Sequence, residues 1–571
     1  MHHMKILSTF LFLVLFTANM FSQNCQATSS QVGLDANNCS VSLTNGGDLW
    51  WNRSSAGYTF PKADISNFEV KAIFAGGFWL SGFDAAGNLK VTAQNYSTSP
   101  GDNAFFAGPI SNNDLSDLEI CAVWDRHFQV RDSDIMKFRI DFADGVIDDP
   151  IPFSIRGWPG KDNPLFSDIY EFDLPESMAL APFWDENEDG IYNPTDGDYP
   201  STKGADQAIW WLMNDVKAIS NFDPVSVMMS VMALSYIDDN PALNNSTIYD
   251  IKITNVAQED LKDATLSLWV DPDLGCFTDD YVGCLKEEDL AFIYNMDDED
   301  GETGCLCPAG VNTYCTNIPV MGIKLLKGPL SNDGNELGLS SFLTFDNSAF
   351  GGNPNQTQPT SAIGYFNFMQ GLWRDGSPII NNGEIISHQY SGNPADTEAS
   401  TMCSENVTAP DKRMLLNFGT FDLPPGAINE MSFAVTGLES VEHPCPDISG
   451  LVALTNELKE IYIEGIVSEV SVVNESDEGH VLEVFPNPMN QSTTFKLKTK
   501  DGATTASGNN FEILESISIT AMDGKVLFRK EDIKQSEFNF ENINLPPGVY
   551  IYKAYVSTQK IYTGKLAVIT F

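Results

Sequence analysis

The sequence predicts a mainly β protein: multiple β-sandwich domains of immunoglobulin or jelly-roll type, one late helix and a small C-terminal β-sandwich. Three observations carry this. Alternating apolar and polar residues recur along the chain, as in Phe68-Glu69-Val70-Lys71-Ala72-Ile73-Phe74, Met136-Lys137-Phe138-Arg139-Ile140 and Thr247-Ile248-Tyr249-Asp250-Ile251-Lys252-Ile253. Alternation puts one face of a strand in a core and the other in water. Breakers rich in Gly, Pro, Asn and Asp separate these runs, as at Gly101-Asp102-Asn103 and Gly351-Gly352-Asn353-Pro354-Asn355. The chain also has 571 residues, 42% of them apolar, which is foldable and too long for one small core.

In chain order, Lys5 and the apolar run from Ile6 to Ala18 read as a signal peptide over residues 1–22, with cleavage near Ser22 and Gln23. Asn24 stands where a lipidated Cys25 would need a small residue. No later stretch reaches the roughly 18 apolar residues of a membrane span, so the mature chain is expected to lack one. Residues 23–465 form a β-rich body, with two or more sandwich domains expected and a split near 220–240. Late in the body, Asp447 or Ser449 can cap a helix in which Leu451, Leu454, Leu458 and Ile461 recur at helical spacing up to Gly465. A polar linker over 466–480 leads to a last domain at 481–571.

The charge supports that boundary. The chain carries 32 Lys and Arg against 78 Asp and Glu, a net −46. Residues 480–571 hold ten basic and nine acidic side chains, leaving −47 for the rest. Such a body repels a phosphate backbone, which argues against nucleic acid as a partner. The ten cysteines, even in number in an exported chain, read as disulfides. Cys276, Cys284, Cys305, Cys307 and Cys315 lie close together, Cys403 and Cys445 can close a loop, and Cys25 can pair with Cys39. Cys305-Leu306-Cys307 is too tight for a zinc knuckle.

The best candidate for a chemical site is the run from Asp185 to Asp196, which matches D-x-N-x-D-G with an acid at the twelfth position. Calcium takes roughly six to eight hard oxygen ligands. Asp185, Asn187 and Asp189 would supply side-chain oxygens and Ile191 its carbonyl. Asn193 would act through a water, and Asp196 would close the loop, with Asp198 as the alternative. Gly190 permits the sharp turn. Pro194 and Pro200 oppose flanking helices, so a structural calcium loop between strands is expected, not a switch. Two looser acidic stretches, Asp271-Pro272-Asp273 with Asp279-Asp280, and Asp297-Asp298-Glu299-Asp300, lack ligand spacing of their own.

Catalytic signatures are missing. There is no H-E-x-x-H, no G-x-S-x-G and no phosphate loop. His127 reads as a hydrogen-bonded structural histidine rather than a catalytic one. The ten tryptophans all lie between Trp50 and Trp373, with adjacent pairs at Trp50-Trp51 and Trp210-Trp211. Adjacent strand residues face opposite ways, so each pair puts one indole inward and the other on a surface that either stacks on a glycan or is covered by another element.

Four segments of the last domain occur in a telling order: Val484-Phe485-Pro486-Asn487-Pro488, the turn Met522-Asp523-Gly524-Lys525, Leu545-Pro546-Pro547-Gly548-Val549-Tyr550, and Lys565-Leu566-Ala567-Val568-Ile569. They resemble the type A C-terminal sorting domain of the Bacteroidetes type IX secretion system. The resemblance implies a sandwich of about seven strands, passage through the periplasm, translocation by the type IX machinery, and a secreted or cell-surface body. The body resembles large Bacteroidetes surface proteins carrying the same domain, in Phe183-Trp184-Asp185, Gly197-Asp198-Tyr199-Pro200, Ala208-Ile209-Trp210-Trp211 and the segments 270–275 and 279–284. Leu285 departs from that pattern, and no catalytic residue carries over. The expected function is therefore a calcium-stabilised adhesion, structural or binding protein, with a glycan or a surface protein as partner. The alternative is a secreted polysaccharide- or peptide-degrading hydrolase.

Overall fold

The computed structural model describes residues 28–464, apart from 63–68, 97–103, 111–117, 143–144, 217–221, 302–304, 306, 308–311, 348–352, 409–410 and 440; beyond these it describes 480–485, 489, 492–499, 513–520, 526–531, 533–541, 545, 548–556 and 561–568. The signal run at 1–22, nearly all of the linker at 466–480 and the turn at 522–525 lie outside the described residues.

Two large antiparallel sheets build the body. The first runs from Ser341–Asp346 through Lys412–Leu423, Leu261–Asp271 and Ala75–Phe83 to the short N-terminal strands. The second runs Asp280–Leu285, Leu290–Asn295, Val320–Lys327, Ile428–Leu438, Ser246–Asn255, Val227–Ser235, Gln207–Asn214, Phe106–Ala107. Gln207–Asn214 and Val227–Ser235 pair along their length, so the chain on either side of residues 220–240 shares one sheet.

The alternation of the strands sets the layers. Phe78, Leu268 and Phe418 of the first sheet share one core with Trp211, Tyr249 and Phe433 of the second. Trp210, next to Trp211, faces the other way, into a core closed by Leu458 of the helix Ser449–Glu464. Trp50 points between the sheets, whereas Trp51 joins Trp79, Trp269 and Phe368 on the outer face of the first sheet. Phe368 belongs to the helix Ala362–Met369, which covers that face. All four paired indoles are buried, so the outer member of each pair is covered by another element.

The late helix forms where its pattern predicts. Asp447 Oδ1 accepts from Ser449 N–H at 2.9 Å, filling one of the donors that a helix N-terminus leaves open. Leu451 and Leu458 are buried. It is not the only helix: seven α-helices occur among the described residues. One of them overturns an expectation. Residues 136–140 lie in the helix Asp132–Asp141, not in a strand. Five alternating residues fit either period, and here Ile135, Met136 and Phe138 are buried on one side while Asp132 and Asp134 occupy the first turn, where negative charge favours a helix. The expected strand over 247–253 is present as Ser246–Asn255.

Three disulfides join Cys276 to Cys305, Cys307 to Cys315 and Cys403 to Cys445. Cys121 is also disulfide-bonded. The expected pairing of Cys39 with Cys25 does not form: Cys39 is a free thiol buried between the sheets, with Tyr58 Oη at 3.5 Å. Cys284 is likewise free and buried. Burial pushes both thiols up to about 12, which leaves them unreactive.

The C-terminal domain is a second, small sandwich. His480–Phe485, Ser492–Thr499 and Glu537–Glu541 form one sheet, and Val526–Lys530, Leu514–Thr520, Gly548–Val556 and Ile561–Val568 the other. Phe495, Ile517 and Tyr552 lie in the core between them. The mainly β expectation, with more than one sandwich, is met.

Candidate functional site

The loop from Asp185 to Asp198 leaves the short strand Phe183–Trp184 and returns as Tyr199–Pro200, which pairs with it. The ends are therefore fixed and the intervening backbone wraps on itself. Asp185 Oδ2 accepts from Gly190 N–H at 2.7 Å, and its Oδ1 from Asp189 N–H at 3.2 Å. Asn187 Oδ1 also accepts from Asp189 N–H, and Asp189 Oδ1 from Ile191 N–H. Gly190 has φ +76°, the left-handed turn that glycine adopts without strain.

Asn193 and Asp196 form a separate corner. Asn193 Nδ2 donates to Asp196 Oδ2 at 2.6 Å, and Asn193 Oδ1 accepts from Thr195 N–H. Asp196 is exposed. The acid that turns inward is Asp198, fully buried, which accepts from Glu186 N–H at 2.8 Å and Asn193 N–H at 2.7 Å. Burial raises its carboxyl to about 6, and the charges of Asp185 and Asp189 add to the rise. The charges of half-buried Asp185 and exposed Asp189 act on Asp198 from the rim of the loop, where Asn187 and Ile191 are also exposed. Oxygen-only surroundings of this kind suit calcium or another hard cation.

A second acidic group lies at the end of the first sheet. Asp271, Asp273 and Asp411 bring carboxylate oxygens within 4.8 Å of one another. Arg413 meets two of them, at 2.7 Å from Asp271 Oδ1 and in direct contact with Asp411. Burial raises both Asp271 and Asp273, the latter to about 6, while Arg413 pulls them back. Tyr96 lies between Trp51 and Trp269, with ring centroids at 5.0 and 5.9 Å. Sequence spacing could not find Asp411 and Arg413, because they arrive from a strand some 140 residues away.

The histidines sit in structural settings. Ser30 Oγ lies 2.8 Å from His127 Nδ1, and burial lowers this imidazole to about 4. His388 Nε2 bonds the Leu339 carbonyl at 3.0 Å. Among the described residues, no helix is long and apolar enough to cross a membrane.

No curated protein matches the chain. Two solved structures are similar over part of their length. One is a polysaccharide lyase at 10% identity and TM-score 0.18, covering 60% of this chain and 34% of that one. The other is dimeric latent PorU from Porphyromonas gingivalis at 9% identity and TM-score 0.12, covering 64% and 32%. The chain spans about a third of each, and at these scores neither bears on fold or activity. Residues 483–569 match the family described as the secretion system C-terminal sorting domain. The small sandwich behind the body is thus the sorting domain of a type IX secretion substrate, and it addresses the chain to the cell surface or the extracellular space.

Proposed function

We propose that the body acts outside the cell as an adhesion, structural or binding module, stiffened by disulfides and by calcium held in the loop of Asp185, Asn187, Asp189, Ile191, Asn193 and Asp196, with Asp198 as the inner acid. The sorting domain carries this reading, because it delivers a disulfide-linked body to the place where rigid binding surfaces work. The acidic D-x-N-x-D-G run on a loop pinned at both ends, with the charges of Asp185 and Asp189 acting on the buried Asp198, supports the calcium assignment. The partner is a glycan or a surface protein.

The test is a binding screen of the purified full chain against glycans, surface proteins and intact cells, in calcium and in chelator. Calcium-dependent retention of one class supports the proposal; no binding anywhere sinks it. The rival reading, a secreted hydrolase, draws on Asp271 and Asp273, two neighbouring acids beside an aromatic cluster, since glycoside hydrolysis uses a pair of carboxyl groups. Their engagement with Arg413 weighs for a structural role. Polymer turnover abolished by Asp273→Asn would establish the rival.

A further inference from the structure

The two loose acidic stretches at 279–280 and 297–300 have no metal spacing in sequence, yet the second sheet brings them together. Asp280 and Asn295 are direct partners in the antiparallel pair Asp280–Leu285 and Leu290–Asn295, so their side chains share a face. Met296 N–H donates to the Asp279 carbonyl at 2.7 Å, and Gly301 N–H to Asp279 Oδ2 at 3.0 Å. Asp300 lies within 4.8 Å of Asp279, oxygen to oxygen. Its Oδ1 accepts from Cys276 N–H at 2.9 Å and its Oδ2 from Tyr314 N–H. The Cys276–Cys305 disulfide ties the loop around these acids, and that bond removes Cys276 as a thiolate ligand.

The acceptors outnumber the donors. Asp279 Oδ1, Asp280 Oδ1 and Asn295 Oδ1 have no hydrogen-bond partner. Asp279 and Asn295 are fully buried and Asp280 is 3% exposed. The orientation of the Asn295 amide is fixed, because its Nδ2 donates to the Asp297 carbonyl and to Asp297 Oδ1. The charged groups acting on Asp280 are Asp279, Asp273 and Asp300, all acidic; those acting on Asp279 are Asp300 and Asp297. A buried ionised carboxylate costs several kcal/mol unless a counter-charge meets it. No basic side chain meets Asp279, Asp280 or Asp300 in an ion pair among the described residues.

We propose that Asp279, Asp300 and the Asn295 side-chain oxygen, backed by the charge of Asp280, form a second calcium site at the open end of this hairpin. A hard divalent cation takes oxygen ligands, satisfies several orphaned acceptors at once and supplies the missing positive charge. Nothing in this site depends on the 185–198 loop.

The test counts calcium bound to the full chain after dialysis against the millimolar calcium of extracellular modules, with terbium as a luminescent probe. Tyr281 and Tyr294 flank the site and would sensitise terbium emission. Asp185→Ala with Asp189→Ala should leave one calcium and the tyrosine-sensitised signal. Adding Asp279→Asn, which keeps an acceptor for Gly301 N–H, should remove both. If the loop is no cation site, wild type and loop variant bind one ion alike, and Asp279→Asn alone abolishes it. A loop variant with no calcium and no sensitised emission overturns the proposal, as does calcium that survives Asp279→Asn. Should Asp279→Asn fail to fold, the loop variant alone decides.

Discussion

Replacing Asp185 and Asp189 together by Ala separates the loop's own hydrogen bonds from the cation proposed for it. The change removes the acceptors that meet Gly190 N–H at 2.7 Å and Ile191 N–H at 2.8 Å, and one of two that meet Asp189 N–H. These groups lie on the exposed rim, so water replaces the lost acceptors and each bond counts at the low end, about 0.5 kcal/mol. The variant also relieves Asp198 of two like charges, which offsets part of the loss. In chelator the variant should therefore be about 1 kcal/mol less stable than wild type. Calcium at a hundredfold its dissociation constant adds about 2.7 kcal/mol to a protein that binds one ion, and the variant forfeits that increment at this loop. The assay is calorimetric unfolding of both proteins in calcium and in chelator. One kcal/mol moves the transition by about 2–4 °C in a unit of 150–250 residues, and by less in a larger one. The calcium-induced rise in wild type should exceed that in the variant by several degrees. Equal rises in the two proteins would refute the loop as a cation site, whatever their size.

Other outcomes follow from the same packing. His127 has its imidazole lowered by burial from 6.5 to about 4, so its contribution is fully present above pH 6.5 and is lost as pH falls toward 4. His127→Gln should flatten that part of the melting profile, by about 2–3 kcal/mol. Trp211→Ala, between the sheets, should cost about 3–5 kcal/mol in denaturant unfolding, whereas Trp184→Ala, at the rim of the loop, should cost far less. Cys403→Ser should cost about 3–4 kcal/mol by opening the loop to Cys445, read by unfolding at fixed redox state. Deleting residues 483–569 should abolish protease-accessible protein on intact cells while the body is still made.

The features legible in the sequence were the local ones. The late helix announced itself by Asp447 and by leucines at helical spacing, and the sorting domain by four segments in order. The turn at 185–191 was equally readable, because the Asp and Asn side chains that accept its N–H groups and the glycine that makes the turn lie within a few residues of one another. The helix at Asp132–Asp141 was not, since an alternating pentapeptide satisfies both periods and only the packing of Ile135 and Phe138 decides. The Asp279 and Asp300 pocket was hidden for a different reason. Its members meet through the register that sets Asp280 opposite Asn295, and register is a property of the folded sheet. Asn295, a neutral residue at a strand end, gave no signal of its own. Cys39 misled because parity counts cysteines without weighing burial.

The position of the strand Ile428–Leu438 bears on timing. It sits between Ser246–Asn255 and Val320–Lys327 in the middle of the second sheet, so the two halves of that sheet are joined only by a segment made late. Until it arrives, Ser246–Asn255 is an open edge, ready to pair with another chain. Contacts spanning such long loops also form slowly. The sorting domain is downstream of this strand. Every molecule that bears the address therefore already contains the piece that seals the sheet, and a chain terminated before Ile428 is both unable to close and without a label for export. Chain order alone thus couples completeness to delivery.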